Sequence, residues 1–172
     1  MNARLARRDD LDSIQRIGTL SILHSYAGFL RPATLDAWLE GVYSTEALAR
    51  RWQDHPVYVA DIDGVTAAFA DAFIEDDRIF LSALFTLPAF RLRGAGRSLV
   101  EQVRNVAKLL PVTCDVLLGN EDSEPFFERL GFVPGETLRT TIFGEQVVER
   151  RWYLDSVGEE ISNGAGAAGV RS

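Results

Sequence analysis

One segment constrains the fold more than any other, because it joins an apolar strand to an amphipathic helix through a basic loop. Residues 79–87 are apolar on both faces of a strand that ends at Pro88, which is typical of a buried position in a sheet. Apolar residues then recur at helical spacing over residues 94–110, until Pro111. A buried strand followed directly by such a helix predicts a domain in which helices cover a central sheet.

The loop between this strand and this helix predicts an anion site. The first turn of a helix presents unpaired N–H groups and a partial positive charge. Gly94 and Gly96 have no Cβ, so backbone amides at these positions can approach phosphate oxygens closely. Arg91, Arg93 and Arg97 add positive charge at the same end of the helix. We interpret the loop as a pyrophosphate cradle for a nucleotide-like ligand, whose identity this pattern leaves open.

Two common phosphate-binding loops do not match this segment. A P-loop requires Gly-Lys followed by Ser or Thr, and that sequence is absent. A Rossmann fingerprint requires a third glycine where Leu99 stands. Asp115 lies at a suitable distance for a ribose contact, but the junction between strand and helix is too long for the tight Rossmann turn. Both classes of nucleotide-binding protein are therefore excluded.

Helical and strand patterns follow one another along the rest of the chain. Three helices are predicted in the first third of the chain: one after Asp9 and Asp10, one from Pro32, and one from Ser44 to Trp52. The buried face of the first helix is predicted to consist of Leu11, Ile14, Ile17 and Leu20. Strands are predicted at Ala3–Arg7, Val57–Ile62, Val65–Ile74, Ile79–Leu87, Val112–Leu118, Thr137–Phe143 and Val147–Leu154. Asp63-Gly64 and Gly144-Glu145 are predicted hairpin turns, and Glu124–Leu130 a short helix. We expect one domain over residues 1–155 and a flexible Gly/Ala/Ser-rich tail over 156–172.

Composition limits the classes of partner. The chain has 172 residues and a formal net charge of −7, which argues against binding to nucleic acid or to an anionic membrane. The first residues, MNARLARRDD, turn acidic where a signal peptide would be apolar, and no stretch is long and apolar enough to span a membrane, so we expect a cytoplasmic protein. Cys114 is the single cysteine, and His24 and His55 are the only histidines, so we expect neither an intrachain disulfide nor a metal site.

The loop and a segment downstream of it carry a resemblance to a known family. Arg91-x-x-Gly94-x-Gly96 resembles the [RQ]xxGx[GA] coenzyme A loop of the GNAT superfamily of N-acetyltransferases. Asn120, followed by FFERLGF at residues 126–132, resembles the family's N…FYExxGF segment in order and spacing. The C-terminal hairpin and the helical N-terminal third are also similar to those of the family. The resemblance covers about residues 3–155.

The resemblance implies a GNAT fold of the α/β (α+β) class, with a central mixed, mostly antiparallel sheet of about six to seven strands flanked by helices. Two adjacent parallel strands, Ile79–Leu87 and Val112–Leu118, would splay apart and hold acetyl-coenzyme A (acetyl-CoA). In such a fold the loop amides hold the pyrophosphate, and the first strand pairs with the pantetheine arm. The residues that the resemblance assigns to the cofactor are Leu84, Phe85, Thr86, Arg91, Leu92, Arg93, Gly94, Ala95, Gly96, Arg97, Asn120 and Phe127.

The usual acid and base of the family are both replaced. Phe127 stands where many members have a tyrosine that protonates the leaving thiolate, and Ser82 where many have a glutamate base. We predict Asp71 as the base, because a carboxylate that interrupts an apolar strand can have a raised pKa, with a strand-edge ion pair as the alternative. Tyr153 is the predicted proton donor, with packing as the alternative. Alignment of the reactants can also take the place of both groups.

Two functions follow from the resemblance. The first is acetyl-CoA-dependent N-acetyl transfer to a primary amine of a small molecule or a peptide, by direct attack on the thioester. The second is a catalytically degenerate domain that binds acyl-CoA as a sensor or partner-binding module, which Phe127 and Ser82 favour. Transfer of a longer acyl chain is a third interpretation. Tyr26 and Tyr43 are candidates to line the acceptor pocket, with core packing as the alternative. An amine acceptor is the expected partner, and a homodimer is left open.

Overall fold

The first third of the molecule is mainly helical. The structure is a computed structural model that describes residues 1–120 and 122–156, so the predicted tail lies outside the described residues except for Ser156. Strand β1 (Asn2–Leu5) is followed by helices α1 (Leu11–Tyr26), α2 (Pro32–Tyr43) and α3 (Thr45–Asp54). Three helices are therefore present where the sequence predicts them.

Local signals in the sequence account for the starts of these helices. Pro32 occupies the first turn of α2, and the Ser44 hydroxyl accepts a backbone hydrogen bond in the first turn of α3. The face of α1 differs from the prediction, because Leu20 is 44% exposed. The buried positions of α1 are Ile14, Ile17, Gly18, Ser21 and Ile22. They follow the helical repeat of 3.6 residues, and Leu20 falls outside that stripe.

Seven strands form one sheet at the centre of the molecule. The strands after α3 are β2 (Val57–Ile62), β3 (Val65–Glu75), β4 (Arg78–Thr86), β5 (Val112–Leu117), β6 (Val133–Ile142) and β7 (Glu145–Leu154). Their order in the sheet is β1-β2-β3-β4-β5-β7-β6, and every neighbouring pair is antiparallel except β4 and β5. The predicted fold class, a mixed and mostly antiparallel sheet flanked by helices, is confirmed.

Helices cover both faces of the sheet. On one face lie α4 (Ala95–Val106) and α5 (Ser123–Arg129), where Leu99 and Val103 of α4 belong to the same buried cluster as Trp152 of β7. On the other face lie α1, α2 and α3, where Ile17 of α1 belongs to a second cluster with Phe69 of β3. Burial of these apolar side chains on both faces fixes the sheet between two layers of helices. Within the described residues, no helix is long and apolar enough to cross a membrane.

The parallel strands β4 and β5 are paired only where they begin. Ile79 lies opposite Val112 and Phe80 lies opposite Thr113, and the pairing stops there. Strand β4 remains paired with β3 as far as Thr86. Strands β4 and β5 therefore separate toward their carboxyl ends, which opens a gap in the middle of the sheet.

Several element ends differ from the predicted positions. Strand β1 spans Asn2–Leu5 rather than Ala3–Arg7, and β6 begins at Val133 rather than at Thr137. Helix α4 ends at Val106 rather than continuing through the predicted residues 94–110, because the backbone leaves helical geometry at the next residue (φ −147°, ψ 82°). The last hairpin turns at Phe143 (φ 43°) and Gly144 (φ 82°) rather than at Gly144-Glu145. Positive φ at both central residues matches the twist of the strands that such a turn connects.

Candidate functional site

A large cleft lies where β4 and β5 separate. Its volume is about 1030 Å³, at the upper end of ordinary ligand pockets. Residues 80–86 of β4 and 114–117 of β5 form its walls. On the side of α4 and α5 the walls include Gly94 and Phe126, and on the side of α1 they include Tyr26. The cleft therefore opens onto both faces of the sheet.

The start of α4 gives one end of the cleft a set of unpaired amides. Gly94 is the residue before α4, and no side chain caps the helix. The N–H groups of Ala95, Gly96 and Arg97 have no partner within the helix, because these residues form its first turn. Gly94 has a φ of 88°, a conformation that other residues adopt only with strain. The position of the helix N-terminus at the cleft therefore depends on glycine at 94.

The second loop glycine has a packing role that the sequence did not reveal. A Cβ added at Gly96 would lie 2.6 Å from the ring of Phe126 on α5. No real contact is that short, so any other residue at 96 would require the ring of Phe126 or α5 itself to shift. The prediction assigned Gly96 to close approach of a ligand. The structure adds that this glycine also leaves room for the ring of Phe126.

The loop arginines contact acceptors of the protein itself. Arg91 donates to Asp122 at 3.2 Å and to Ser25 at 3.1 Å, which joins the loop to α1. Arg93 forms an ion pair with Asp63 at the β2–β3 turn. Exposed pairs of this kind contribute only about 0–1 kcal/mol each. These side chains can therefore exchange a protein carboxylate for a ligand anion at little cost.

Arg97 and Leu92, the other two predicted loop side chains, face different surroundings. Arg97 donates to the carbonyl oxygen of Arg129, the last residue of α5, at 3.1 Å, and it lines the cleft. Leu92 has a φ of 62° and is 91% exposed, so most of its side chain points to solvent. The predicted loop residues line one end of the cleft with one exception, Arg93, whose guanidinium is paired with Asp63 instead.

The edge of β4 that faces the cleft has no strand partner along its second half. Leu84, Phe85 and Thr86 lie opposite Ala70, Phe69 and Ala68 of β3, and all three line the cleft. Because strand β5 has already diverged, the backbone groups on their other side face the cleft. The Thr86 carbonyl also accepts a hydrogen bond from the Ser21 hydroxyl at 3.3 Å. An extended ligand can therefore pair with this edge as a further strand would.

Asn120 and Phe127, the two predicted cofactor residues outside the loop and β4, are both buried. The side chain of Asn120 lies beside the hydroxyl of Tyr26 and opposes the rise of its pKa that burial causes, and Asn120 itself does not line the cleft. Phe127 lies against the rings of Phe126 and Phe132, with centroids 5.2 Å away in each case. Its ring carries no group that can donate a proton, and it contributes an apolar wall to the cleft.

The structure does not bring Asp71, the predicted base, into the cleft. Asp71 is 1% exposed on β3 and forms ion pairs with Arg51 of α3 and with His55, the latter at 2.5 Å. Burial raises the pKa of the Asp71 carboxyl, and Arg51 and His55 oppose that rise. The ion pair that the sequence left as the alternative is therefore present. A bulge next to Asp71 makes Ser82 an extra residue of β4, whose hydroxyl donates to the Asp71 carbonyl at 3.2 Å.

Tyr153, the predicted proton donor, also lies away from the cleft. It is opposite Thr113, at the end where β4 and β5 are still paired. Its hydroxyl donates to Glu136 of β6 at 2.8 Å, and this contact raises the pKa of Tyr153. Of the tyrosines considered for the acceptor side, Tyr26 lines the cleft, whereas Tyr43 is a buried core residue.

Two carboxylates that the sequence did not single out as acid or base line the cleft on the α1 side of the sheet. Asp115 of β5 accepts two hydrogen bonds from Arg151 of β7, at 2.7 and 2.8 Å. Glu149 lies two positions earlier on β7, opposite Leu117 of β5. Burial raises the pKa of Glu149, Asp115 raises it further, and Arg151 lowers it. The sequence around Glu149 and Arg151 predicted a strand, but it did not show which side chains of that strand would face the cleft.

The aromatic side chains beside Glu149 form the remaining wall of the cleft. Tyr26 of α1 and Trp38 of α2 lie with ring centroids 5.3 Å apart, and Phe143 of the β6–β7 turn lies on the same side. Burial raises the pKa of the Tyr26 hydroxyl to about 12, so it remains protonated at neutral pH. This end of the cleft therefore combines aromatic faces with the carboxylates of Asp115 and Glu149, in contrast to the cationic loop at the other end.

A family model and several solved structures match the chain. The model of the acetyltransferase (GNAT) family matches residues 23–132, which is more than half of the chain. No curated protein sequence matches this chain. A GCN5-related N-acetyltransferase from Rhodopseudomonas palustris is similar in structure, with a TM-score of 0.73 and 20% identity over 90% of this chain and 94% of that one.

Two further solved structures have the same fold. The PaiA N-acetyltransferase from Thermoplasma acidophilum, solved in complex with coenzyme A, has a TM-score of 0.68 and 19% identity over 87% of this chain and 98% of that one. The ribosomal-protein-S18-alanine N-acetyltransferase from Escherichia coli has a TM-score of 0.66 and 17% identity over 94% of this chain and 98% of that one. At such identities the likeness shows a shared fold.

Proposed function

The chain belongs to the GNAT acetyltransferase family, and on that premise we propose that it transfers the acetyl group of acetyl-CoA to a primary amine of a small molecule or peptide. The observation that carries the proposal is the cleft between β4 and β5, which has unpaired helix amides at one end and carboxylates at the other. A cytoplasmic location and a domain boundary near residue 155 are part of the same proposal.

The residues of the cleft fit the chemical groups of acetyl-CoA. Unpaired amides in the first turn of α4, together with Arg91 and Arg97, suit a pyrophosphate. The free edge of β4 at residues 84–86 suits the amides of a pantetheine arm, which can pair with it as an added strand. When bound, acetyl-CoA supplies the activated acetyl group. The protein's contribution is to hold the thioester in the gap of the sheet, where an amine from the α1 side can reach it.

A binding module without turnover is the second candidate, and two observations favour it. Phe127 has no hydroxyl to protonate a leaving thiolate. The Ser82 hydroxyl donates to the Asp71 carbonyl, and it accepts a hydrogen bond from Arg51 at 3.1 Å. Neither position can therefore supply the acid or base that many members of the family place there. In this alternative the protein would bind acyl-CoA as a sensor or as a docking partner.

Release of free thiol from acetyl-CoA distinguishes the two functions. The protein is incubated with acetyl-CoA and one of four amines: 2-phenylethylamine, n-butylamine, spermidine or a tetrapeptide with a free N-terminus. We expect thiol release that depends on the amine. Calorimetric binding of acetyl-CoA without thiol release for any amine would leave only the binding module, and absence of binding would contradict both functions. Octanoyl-CoA in a parallel series tests transfer of a longer acyl chain.

A further inference from the structure

Resting on the proposed function, we propose that Glu149 receives the ammonium group of the acceptor and accepts its proton. The residue lies on β7 directly opposite Leu117 of β5, well beyond Thr113, the last residue of β5 that pairs with β4. It lines the cleft beside the gap through which a thioester would be reached. Leu117 packs into the cluster below α1, so Glu149 faces the side opposite to the phosphate-binding loop.

Glu149 differs from its neighbour Asp115 in being unpaired. Both oxygens of Asp115 accept hydrogen bonds from Arg151, so that carboxylate is neutralised within the protein. Among the described residues, no ion pair or hydrogen bond is made to the carboxylate of Glu149, and Arg151, which is paired with Asp115, acts on it only through its charge. A partly buried anion without a partner is costly in the free protein. A ligand ammonium supplies the missing partner, whereas Asp115 has no need of one.

The groups that face Glu149 keep its carboxyl suited to accept a proton. They are Asp115 from β5, Arg151 from β7 and the hydroxyl of Tyr26 from α1. Burial and Asp115 raise its pKa, and Arg151 limits the rise. A base with a pKa closer to neutrality takes a proton from an ammonium more readily than an ordinary carboxylate does. The rings of Tyr26 and Trp38 add faces that attract a cation.

The proton and electron balance of the step is complete without any further reactant. A first proton passes from the ammonium nitrogen to Glu149. The nitrogen lone pair then forms the new N–C bond with the thioester carbonyl carbon, and the C–S bond breaks with its electron pair going to sulfur. The second nitrogen proton ends on that sulfur by way of water, and Glu149 releases its own proton to solvent. Glu149 thus takes the role that Ser82 and Asp71 cannot have.

The test compares Glu149→Gln and Glu149→Asp with Glu101→Gln, which makes the same change on the exposed side of α4. The amine is the one of the four that the wild type acetylates fastest. We expect Glu149→Gln to lower kcat by roughly 100-fold or more near pH 7 and to remove the rise of kcat/KM with pH, because a general base contributes about 10²–10⁴. Glu149→Asp should restore part of the rate, and Glu101→Gln should behave as the wild type. Affinity for acetyl-CoA should change less than about twofold, because the loop lies on the other face.

Other outcomes overturn the inference in distinguishable ways. An unchanged kcat and pH profile in Glu149→Gln, with an active wild type, would contradict the role of Glu149 alone. A higher KM with an unchanged kcat would mean that Glu149 binds the amine without taking its proton. An inactive wild type that binds acetyl-CoA would remove the proposed function together with this inference.

A second readout uses the free protein and needs no acceptor. A carboxyl whose pKa is raised on folding contributes stability that is present below its unfolded pKa and is lost as pH rises through its folded pKa. Glu149→Gln cannot ionise and does not lose this contribution. We therefore expect the Tm of Glu149→Gln, relative to wild type, to be higher at pH 8 than at pH 4. A difference that does not vary with pH would show that the carboxylate is not desolvated, and would contradict the inference.

Discussion

At the scale of single residues, the two loop glycines are required for different reasons. Gly94 adopts a left-handed φ of 88° that starts α4 in the right place. Gly96 has ordinary helical geometry, but its missing Cβ leaves room for the ring of Phe126. The motif therefore combines a backbone requirement with a packing requirement, and only the first is evident from a pattern of glycines and arginines.

We predict that Gly96→Ala destabilises the protein through Phe126. The added Cβ would meet the ring at 2.6 Å, so α5 must move or the ring must leave its rotamer. Overpacking of this kind costs about 1–3 kcal/mol, measured as the change in the free energy of unfolding in urea. In a Phe126→Ala background the cost of Gly96→Ala should largely disappear, because the clashing ring is gone. Equal costs in both backgrounds would show that Phe126 is not the cause.

Prediction of individual site residues was uneven for a physical reason. The loop residues are contiguous, so the position of most of them at one end of the cleft follows from a local strand–loop–helix pattern. Asp71 lies on β3, whereas Tyr153 and Glu149 both lie on β7, and whether each faces the cleft depends on strand order and register. The bulge beside Asp71 also shifts the alternation of side chains along β4. No local pattern encodes these features.

At the scale of elements, one buried ion pair ties α3 to the sheet. Asp71 of β3 is enclosed between Arg51 of α3 and His55, which follows that helix directly. Arg51 also donates to Ser82 of β4, so a single guanidinium contacts two strands. The position of α3 over β3 and β4 therefore depends on charged groups as well as on apolar packing.

We predict that Asp71→Ala costs about 3–5 kcal/mol in the free energy of unfolding, because it leaves the charge of the largely buried Arg51 without a counter-charge. Asp36→Ala, an exposed aspartate of α2, is the matched control and should change stability by less than about 0.5 kcal/mol. Urea denaturation measures both. A loss for Asp71→Ala no larger than that for the control would contradict the structural role of the pair.

Most element types follow from the sequence, and their ends follow less well. The hairpin turn at Asp63-Gly64 and the start of α3 near Ser44 were predicted from the sequence, and the residue types at both places favour the conformations observed. The last turn was misplaced by one residue, because it contains Phe143, which rarely adopts a positive φ. Contacts of the hairpin with the rest of the molecule override that local preference.

At the scale of the whole molecule, the cleft depends on the separation of two parallel strands inside a continuous sheet. Strand β7 lies between β5 and β6, so the last hairpin enters the sheet beside β5 and places Glu149 at the gap. The resemblance to the family implied this separation, and the hydropathy pattern alone did not. The family resemblance therefore predicted the residues at the cofactor end of the cleft better than those at the acceptor end.

The opposite charges of the two ends agree with a reaction between an anionic donor and a cationic acceptor. Arginines and helix amides lie at one end, and at the other lies the carboxylate of Glu149, which has no partner within residues 1–120 and 122–156, on a protein with a net charge of −7. The charge of the whole molecule therefore does not oppose binding of a polyphosphate, because the local field of the loop dominates at contact distance.

Calorimetric titration of acetyl-CoA into Gly94→Glu and Gly144→Glu tests the central claim most directly. Both glycines have a positive φ, 88° and 82°, so the two substitutions introduce similar backbone strain and the same charge. Only Gly94 lies at the N-terminus of α4, where a carboxylate would repel the pyrophosphate. The account predicts that Gly94→Glu weakens binding by roughly 100-fold or more and that Gly144→Glu binds as the wild type does. Equal affinity in the two variants would contradict the assignment of the loop as the coenzyme A site.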